Sequence, residues 1–245
     1  MRLRAGPSHG LLAFDEAVLP RLAIPMPCSS TTPRHVIRLS ILAVVAGACV
    51  AFAPAQARTP AAQEPSLEVT QLVQRAIAAR DNRGQAFAVV DKKRARVHVF
   101  TADGTLRGTS PVLLGLAKGD DSVPGIGERP MAQIRPHERT TPAGRFASEP
   151  GVNTHGEDIV WVDYDAAVSM HRVRTANKAD RRLERLATPT IADNRISYGC
   201  INVPAAFYDG YVKPALGSTR GVVYVMPETE SAERRFSFMR TPPPP

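Results

Sequence analysis

The sequence predicts a mainly β domain, a sandwich or an open barrel carrying a few short helices. Three observations predict it. From residue 86 onward apolar and polar residues alternate with a period of two, as half-buried strands require. The apolar runs are short, and Gly, Pro and Asp separate them where hairpin turns belong. Helical periodicity is confined to a few short segments. The chain has 245 residues, 43% hydrophobic and 22% charged, which is enough for one substantial core. That composition excludes a collagen-like or wholly disordered chain, and three cysteines exclude a disulfide-dense scaffold.

The first element in order is a leader. Leu39 to Phe52 is an apolar run of 14 residues with Arg34 and Arg38 before it and Ala55-Gln-Ala57 after it. A positive flank, a short apolar stretch and an A-x-A end make a secretory signal, with cleavage expected before Arg58. The run is shorter than the ~20 residues that span a bilayer, and an uncleaved anchor is the other reading. Residues 1–57 are therefore set apart, with Met26 as an alternative start. The formal charge of the whole chain is +8. Without the leader, 26 basic and 21 acidic residues remain over 188 positions. No Lys/Arg run or aromatic interleaving accompanies that mild excess, so nucleic acid is not an expected partner. Nor is a stable membrane span expected in the mature form. Cys28 and Cys49 leave with the leader, and Cys200 stays as a lone thiol in a periplasmic, oxidising location.

Residues 58–66 read as a linker, and 67–80 as a short amphipathic helix; together the region 58–83 precedes a domain over 84–228. Within it, 86–91 and 94–100 read as strands. Ala102-Asp-Gly-Thr105 is a hairpin turn, and 106–114 follows as a third strand. Residues 115–130 are a Gly-rich loop matching neither a P-loop nor a dinucleotide fingerprint. Thr140 to Phe146 holds Pro and Gly at turn positions. Residues 158–163 and 166–170 are two more strands, and 178–187 is a charged short helix. Residues 195–200 are strand-like, 203–216 is a helix with Pro204 in its first turn, and 221–226 is a closing strand. The stretch 229–245, ending TPPPP, reads as a disordered tail. About seven strands and two or three helices result.

Four histidines remain after the leader. His98 on an alternating strand reads as structural, and His137 as a solvated loop residue. His155, in Asn153-Thr-His-Gly156, is either a plain turn residue or one that faces a cleft. None has zinc-ligand spacing, and no metal or other cofactor is expected. His171 ends one apolar strand. Cys200 ends another, just before an expected helix whose dipole would favour the thiolate. A neighbouring imidazole would activate the thiol further, and the Gly199 and Cys200 amides would form an oxyanion hole. From spacing alone, a buried structural cysteine is the favoured reading.

Arg195-Ile-Ser-Tyr-Gly-Cys-Ile-Asn-Val203 resembles the nucleophile motif of the L,D-transpeptidase (YkuD-like) catalytic domain. Ser197, Gly199, Cys200, Ile201 and Asn202 match its Ser/Thr-His-Gly-Cys core with an apolar residue and Asn or Arg following. Thr141-Pro-Ala-Gly-Arg-Phe146 is similar to the family's T-P-x-G-x-F segment, and Met170-His171 to its upstream histidine. The resemblance covers roughly 84–226 in the family's order. It implies a YkuD-like β-sandwich or open barrel that acts on peptidoglycan stem peptides. Cys200 would attack an L-centre to D-centre amide to give a thioester, and an amine would resolve it into a 3→3 cross-link. His171 would be base and then acid, and Ser197 would orient the loop. Tyr198 would line the pocket, and Asn202 would cap the next helix or contact substrate. Arg172, Arg174, Arg195 and His155 are candidates for substrate contact. Two departures stand out: Tyr198 replaces the motif histidine, and Arg172 replaces a glycine. In addition, 25 residues separate His171 from Ser197, a longer spacer than usual. With water as acceptor the enzyme would be an L,D-carboxypeptidase or endopeptidase. The departures also leave open a catalytically dead wall-binding domain.

Overall fold

The structure, a computed structural model, describes residues 64–240. The leader over 1–57, with Cys28, Cys49 and the expected cleavage site, lies outside the described residues, as do linker residues 58–63 and the last five of the tail.

A helix, Leu67–Ala78 (α1), opens the described chain, with the Ser66 hydroxyl capping the Val69 N–H. Three strands follow in antiparallel hairpins, Phe87–Asp91 (β1), Arg96–Phe100 (β2) and Leu106–Pro111 (β3). After the short Leu114–Gly115 (β4) comes a meander of Gly144–Val152 (β5), Asp158–Asp163 (β6) and Val168–Arg172 (β7). A short helix Arg182–Ala187 (α2) leads into Arg195–Ser197 (β8) and Ile201–Val203 (β9). Two helical turns, Ala205–Phe207 (α3) and Lys213–Leu216 (α4), flank a π turn over Tyr208–Val212 and precede Gly221–Val225 (β10). A last turn, Ala232–Arg235 (α5), closes the described residues.

Eight strands form one sheet in the order β3-β2-β1-β10-β5-β6-β7-β9, and β4 pairs with β8. The edges of the large sheet nearly meet. Beyond β3 the chain reaches Leu113, which exchanges two backbone hydrogen bonds of 2.9 Å with Asn202 of β9. The fold is thus mostly β, a nearly closed barrel-like sheet with a few short helices. The third strand expected over 106–114 stops at Pro111. Proline has no N–H for the ladder, and the chain then changes partner from β2 to β8 and β9.

The interior of the barrel is filled by alternate residues of several strands, among them Val90, Val97, Val160, Met170, Ile201 and Val223. Tyr208, Val212 and Leu216 plug it at i, i+4 spacing. A second apolar cluster lies on the outside of β1 and β10, where α1 packs through Val69, Leu72, Val73 and Ala76. These two parallel strands are therefore buried on both faces, which accounts for their unbroken apolar runs.

The disordered tail expected over 229–245 is corrected as far as residue 240. Phe236 and Met239 enter the outer cluster, and burying them offsets the cost of ordering that segment. The charged helix expected over 178–187 is interrupted: Arg181 adopts φ 50° and separates a 3₁₀ turn from α2. Two strands were hidden from the sequence. Turn residues disguised β5, and β9 occupies the place where a helix was expected to begin.

Candidate active site

The turn that carries Cys200 is built by β8, β9 and the loop entering β5. Between β8 and β9 the chain reverses through Tyr198, Gly199 and Cys200. Gly199 has φ 136°, and a Cβ there would stand 2.9 Å from the Thr140 carbonyl oxygen. Ser197 braces the turn from within. Its hydroxyl donates to the Cys200 carbonyl at 2.6 Å and accepts from the Gly199 N–H at 3.1 Å. Thr141 braces it from outside, donating to the Gly199 carbonyl at 2.8 Å and accepting from the Gly115 N–H at 2.8 Å. Gly115 permits that approach, since a Cβ would lie 2.3 Å from the Arg139 carbonyl oxygen. Both hydroxyls are buried.

Cys200 is half-buried beside β7, the strand that carries His171, and its Sγ lies 3.7 Å from the Ala167 carbonyl oxygen. Ser169 Oγ also approaches Cys200 Sγ, at 3.7 Å. Burial pushes the thiol up, but the hydrogen bond and charge of His171, with Ser169, outweigh it, and the thiol lies below its ordinary value. His171 moves the opposite way: burial lowers it, the cysteine and the Arg172 carbonyl raise it more, and the net shift is upward. The two shifts favour a thiolate–imidazolium pair. His171 Nδ1 donates to the Arg172 carbonyl at 2.7 Å. Nε2, 3.5 Å from Asn202 Nδ2, is then the nitrogen left to exchange a proton with sulfur.

Around the pair opens a cleft of about 370 Å³. The structure brings His155, His171, Ser197, Tyr198, Cys200 and Asn202 to its lining, with Arg174 and Arg182. Tyr198, which stands where the motif histidine was expected, is half-buried under the Arg139 guanidinium, 3.9 Å from ring centroid to Cζ.

Several expectations are corrected. Cys200 precedes a strand, so no helix dipole acts on it. The Gly199 N–H is committed to Ser197, and Gly199 serves the turn geometry instead of donating to an oxyanion. Asn202 does not cap a helix. It is buried in β9, where Nδ2 donates to the Cys200 carbonyl at 3.2 Å and Oδ1 accepts from Arg182 Nη1 at 2.7 Å. Arg172 and Arg195 do not line the cleft. Arg172 is clamped by Asp158 and Asp209 and stacks on Tyr208, 4.4 Å from the ring centroid. Arg195 is buried against Glu228, 2.5 Å away.

Sequence reasoning missed Ser169 and Arg182, and gave Thr141 no role. A serine two residues before the strand-end histidine shares its sheet face, and that spacing was the available signal for Ser169. His98 lies outside the cleft, buried and bonded through Nδ1 to Thr109 Oγ1 at 2.9 Å, with burial holding its pKa down to about 4. His137 is an exposed residue of a 3₁₀ turn. Among the described residues no three His, Cys, Asp or Glu side chains cluster to hold a metal, and no helix is long and apolar enough to cross a membrane.

No family model and no curated protein matches the chain. Among solved structures, it is similar to the helical cell shape determining protein Pgp2 from Campylobacter jejuni, at 14% identity and TM-score 0.40, over 60% of this chain and 49% of that one. It is also similar to an L,D-transpeptidase from Mycobacterium smegmatis, at 17% identity and TM-score 0.32, over 58% of each chain. A third likeness is to the catalytic domain of an E. faecium L,D-transpeptidase, at 17% identity and TM-score 0.32, covering 58% of this chain and 98% of that one. The chain thus spans about half the length of Pgp2 and little more of the M. smegmatis protein.

Proposed function

We propose that the protein is a cysteine acyltransferase of the L,D-transpeptidase kind, acting outside the cytoplasm on peptidoglycan stem peptides. The observation that carries this reading is the Cys200–His171 pair, set together on neighbouring strands at the lining of one cleft, with the thiol lowered and the imidazole raised. A structural cysteine has no need of that arrangement. The stem peptide as substrate rests on the motif around Cys200 and on the segments at 141–146 and 170–171.

In this reading the Cys200 thiolate attacks the carbonyl carbon of the scissile amide, and the Cys200 N–H faces the developing oxyanion. His171 gives the Nε2 proton to the departing amine, leaving a thioester on Sγ. It then takes a proton from the incoming amine, which attacks the thioester and restores the thiolate. Ser197 and Thr141 hold the turn that fixes the direction of attack. Asn202 holds the same turn through the Cys200 carbonyl and lies beside His171. The residues themselves supply every proton and bond the two half-reactions need.

The test is intact-mass spectrometry of the protein with a strained cyclic amide, a carbapenem, beside a Cys200→Ser control. A covalent adduct on the wild type alone is expected. A wild-type protein that forms no adduct and also resists a small alkylating reagent would sink the reading in favour of a buried, inert thiol. Product analysis with a stem peptide, with and without an amine acceptor, then separates cross-linking from hydrolysis.

A further inference from the structure

The cleft holds two guanidinium groups that differ in what they are bound to. Arg182 is committed: Nε donates to Asp180 Oδ2 at 2.8 Å and Nη1 to Asn202 Oδ1 at 2.7 Å. Asp180 is in turn held by Asn177 Nδ2 at 2.8 Å, so its charge is satisfied within its own segment. Arg174 is exposed at the same cleft, and among the described residues no carboxylate forms an ion pair with it. Its hydrogen-bond partner is Nδ1 of His155, 3.3 Å from Nη1. A guanidinium only donates, so His155 accepts there and carries its proton on Nε2. Of the four residues for which carboxylate or substrate contact was expected, Arg172 and Arg195 are locked in ion pairs away from the cleft. Arg174 and His155 remain together on its wall.

The charge of Arg174 is felt across the site. It opposes protonation of His171 and helps hold the Glu157 carboxyl below its usual range, behind the larger effect of the Asn153 amide. Arg174 is thus a planar cation on the cleft that holds the nucleophile, with no carboxylate at ion-pair distance among the described residues. Its fork of donors matches a carboxylate.

We propose that Arg174 recognises a free carboxylate on the residues flanking the scissile amide, making the cleft selective for anionic acyl donors. This rests on the acyl-transfer reading above. Two carboxylates of a stem peptide have the right chemistry: the terminal one of the leaving D-residue, and the side-chain one of the diamino-acid that becomes the acyl group.

Three synthetic tetrapeptide donors separate them: the parent, its C-terminal carboxamide and its side-chain carboxamide. Turnover is measured with wild type, Arg174→Gln and Arg174→Lys. Affinity is measured by calorimetry on Cys200→Ala with and without Arg174→Gln. For the parent, Arg174→Gln is expected to lower kcat/KM about 10- to 100-fold, the size of one charge-assisted pair, chiefly through KM. Arg174→Lys recovers part of the loss. Wild type suffers the same loss on one of the two carboxamides, and on that donor Arg174→Gln costs nothing more; that donor identifies the carboxylate bound.

An Arg174→Gln effect equal on all three donors, or absent on all, overturns the inference while turnover by the wild type leaves the proposed function standing. No turnover of any donor, with parent binding to Cys200→Ala that still depends on Arg174, supports carboxylate recognition and sinks the acyl-transfer reading. Failure of all three peptides to bind or react overturns both.

Discussion

At the scale of single residues, the site turns on how two opposed shifts meet at Cys200 and His171. The thiol is lowered and the imidazole raised, and both shifts favour the state in which sulfur is ionised while nitrogen is protonated. As pH falls through the thiol value the thiolate is lost; as pH rises through the imidazole value the proton donor is lost. A bell-shaped rate profile follows. The alkylation rate of Cys200 by iodoacetamide should accordingly reach half its plateau below the ordinary thiol value of 9.0. In His171→Gln burial, which pushes the thiol up, is opposed by Ser169 and no longer by the histidine. The midpoint should move up from its wild-type position, and an unmoved midpoint would show that the histidine does not set the thiol. Gly199→Ala tests the turn beside it. With φ 136° and the Thr140 carbonyl 2.9 Å from the new Cβ, the substitution is expected to cost about 1–3 kcal/mol and most of the alkylation rate. A fully reactive, undiminished Gly199→Ala protein would remove the turn geometry from the mechanism.

Among the elements, one side chain joins three. Thr141, at the entry to β5, holds Gly115 of β4 and Gly199 of the β8–β9 turn through one buried hydroxyl. Thr141→Val keeps the shape and removes both bonds. It should lower stability by about 1–3 kcal/mol, read by urea denaturation, and slow Cys200 alkylation. Thr141→Ser should restore both, and a Thr141→Val protein of wild-type stability would contradict the bracing role. The sequence showed the segment around Thr141 as turn residues before an aromatic and as a motif match, but gave its hydroxyl no role, because a bridge between positions 115 and 199 leaves no local periodicity. The same limit explains the other misses. Period-two alternation revealed β1, β2, β6 and β10, whose neighbours are close in sequence or whose runs are uniformly apolar. In β5, Pro150 and Gly151 read as a loop, yet Gly151 makes room for the Trp161 indole, 2.4 Å from where its Cβ would stand. In β9, Asn202 looked like a helix cap because a polar residue before Pro204 usually is one. Its burial against His171 and Arg182 depends on a parallel pairing with β7, 31 residues away. Cys200 and His171 were legible as a pair through the motif. Arg172 and Arg195 were not excluded, because a motif carries no information on Asp158, Asp209 or Glu228.

Across the whole molecule, a buried knot of charge ties residues 228–240 to β8. Lys92, fully buried at the end of β1, lies 2.8 Å from Asp120 and 3.7 Å from Glu228, and it donates to the Thr141 carbonyl at 2.9 Å. Glu228 also grips Arg195 of β8. Burial pulls the Lys92 ammonium below its ordinary value, and Asp120 opposes the shift. Burial pushes the Asp120 carboxyl up, but Lys92, the Thr229 hydroxyl and the Glu228 and Thr229 amides outweigh it and hold it well below the usual carboxylate range. Asp120 thus contributes stability in full above its ordinary value of 3.8, and that contribution drains away as pH falls below it toward the folded-state value. Lys92→Met removes one cation and leaves a buried carboxylate without its ammonium. The expected loss is about 3–5 kcal/mol, measured by denaturant unfolding at neutral pH. It should be larger than the loss in Lys92→Met/Asp120→Asn, where cation and anion go together. The knot also holds the segment that carries Phe236 into the outer core. Lys92→Met should therefore raise hydrogen exchange in residues 229–240 before it loosens the barrel. If exchange there stayed as in the wild type while stability fell, the knot would be a local support of the loop at 120 and nothing more. Because Lys92 also fastens the Thr141 carbonyl, the same variant should slow Cys200 alkylation with no side chain of the cleft altered. This would show how far the outer charges reach into the site.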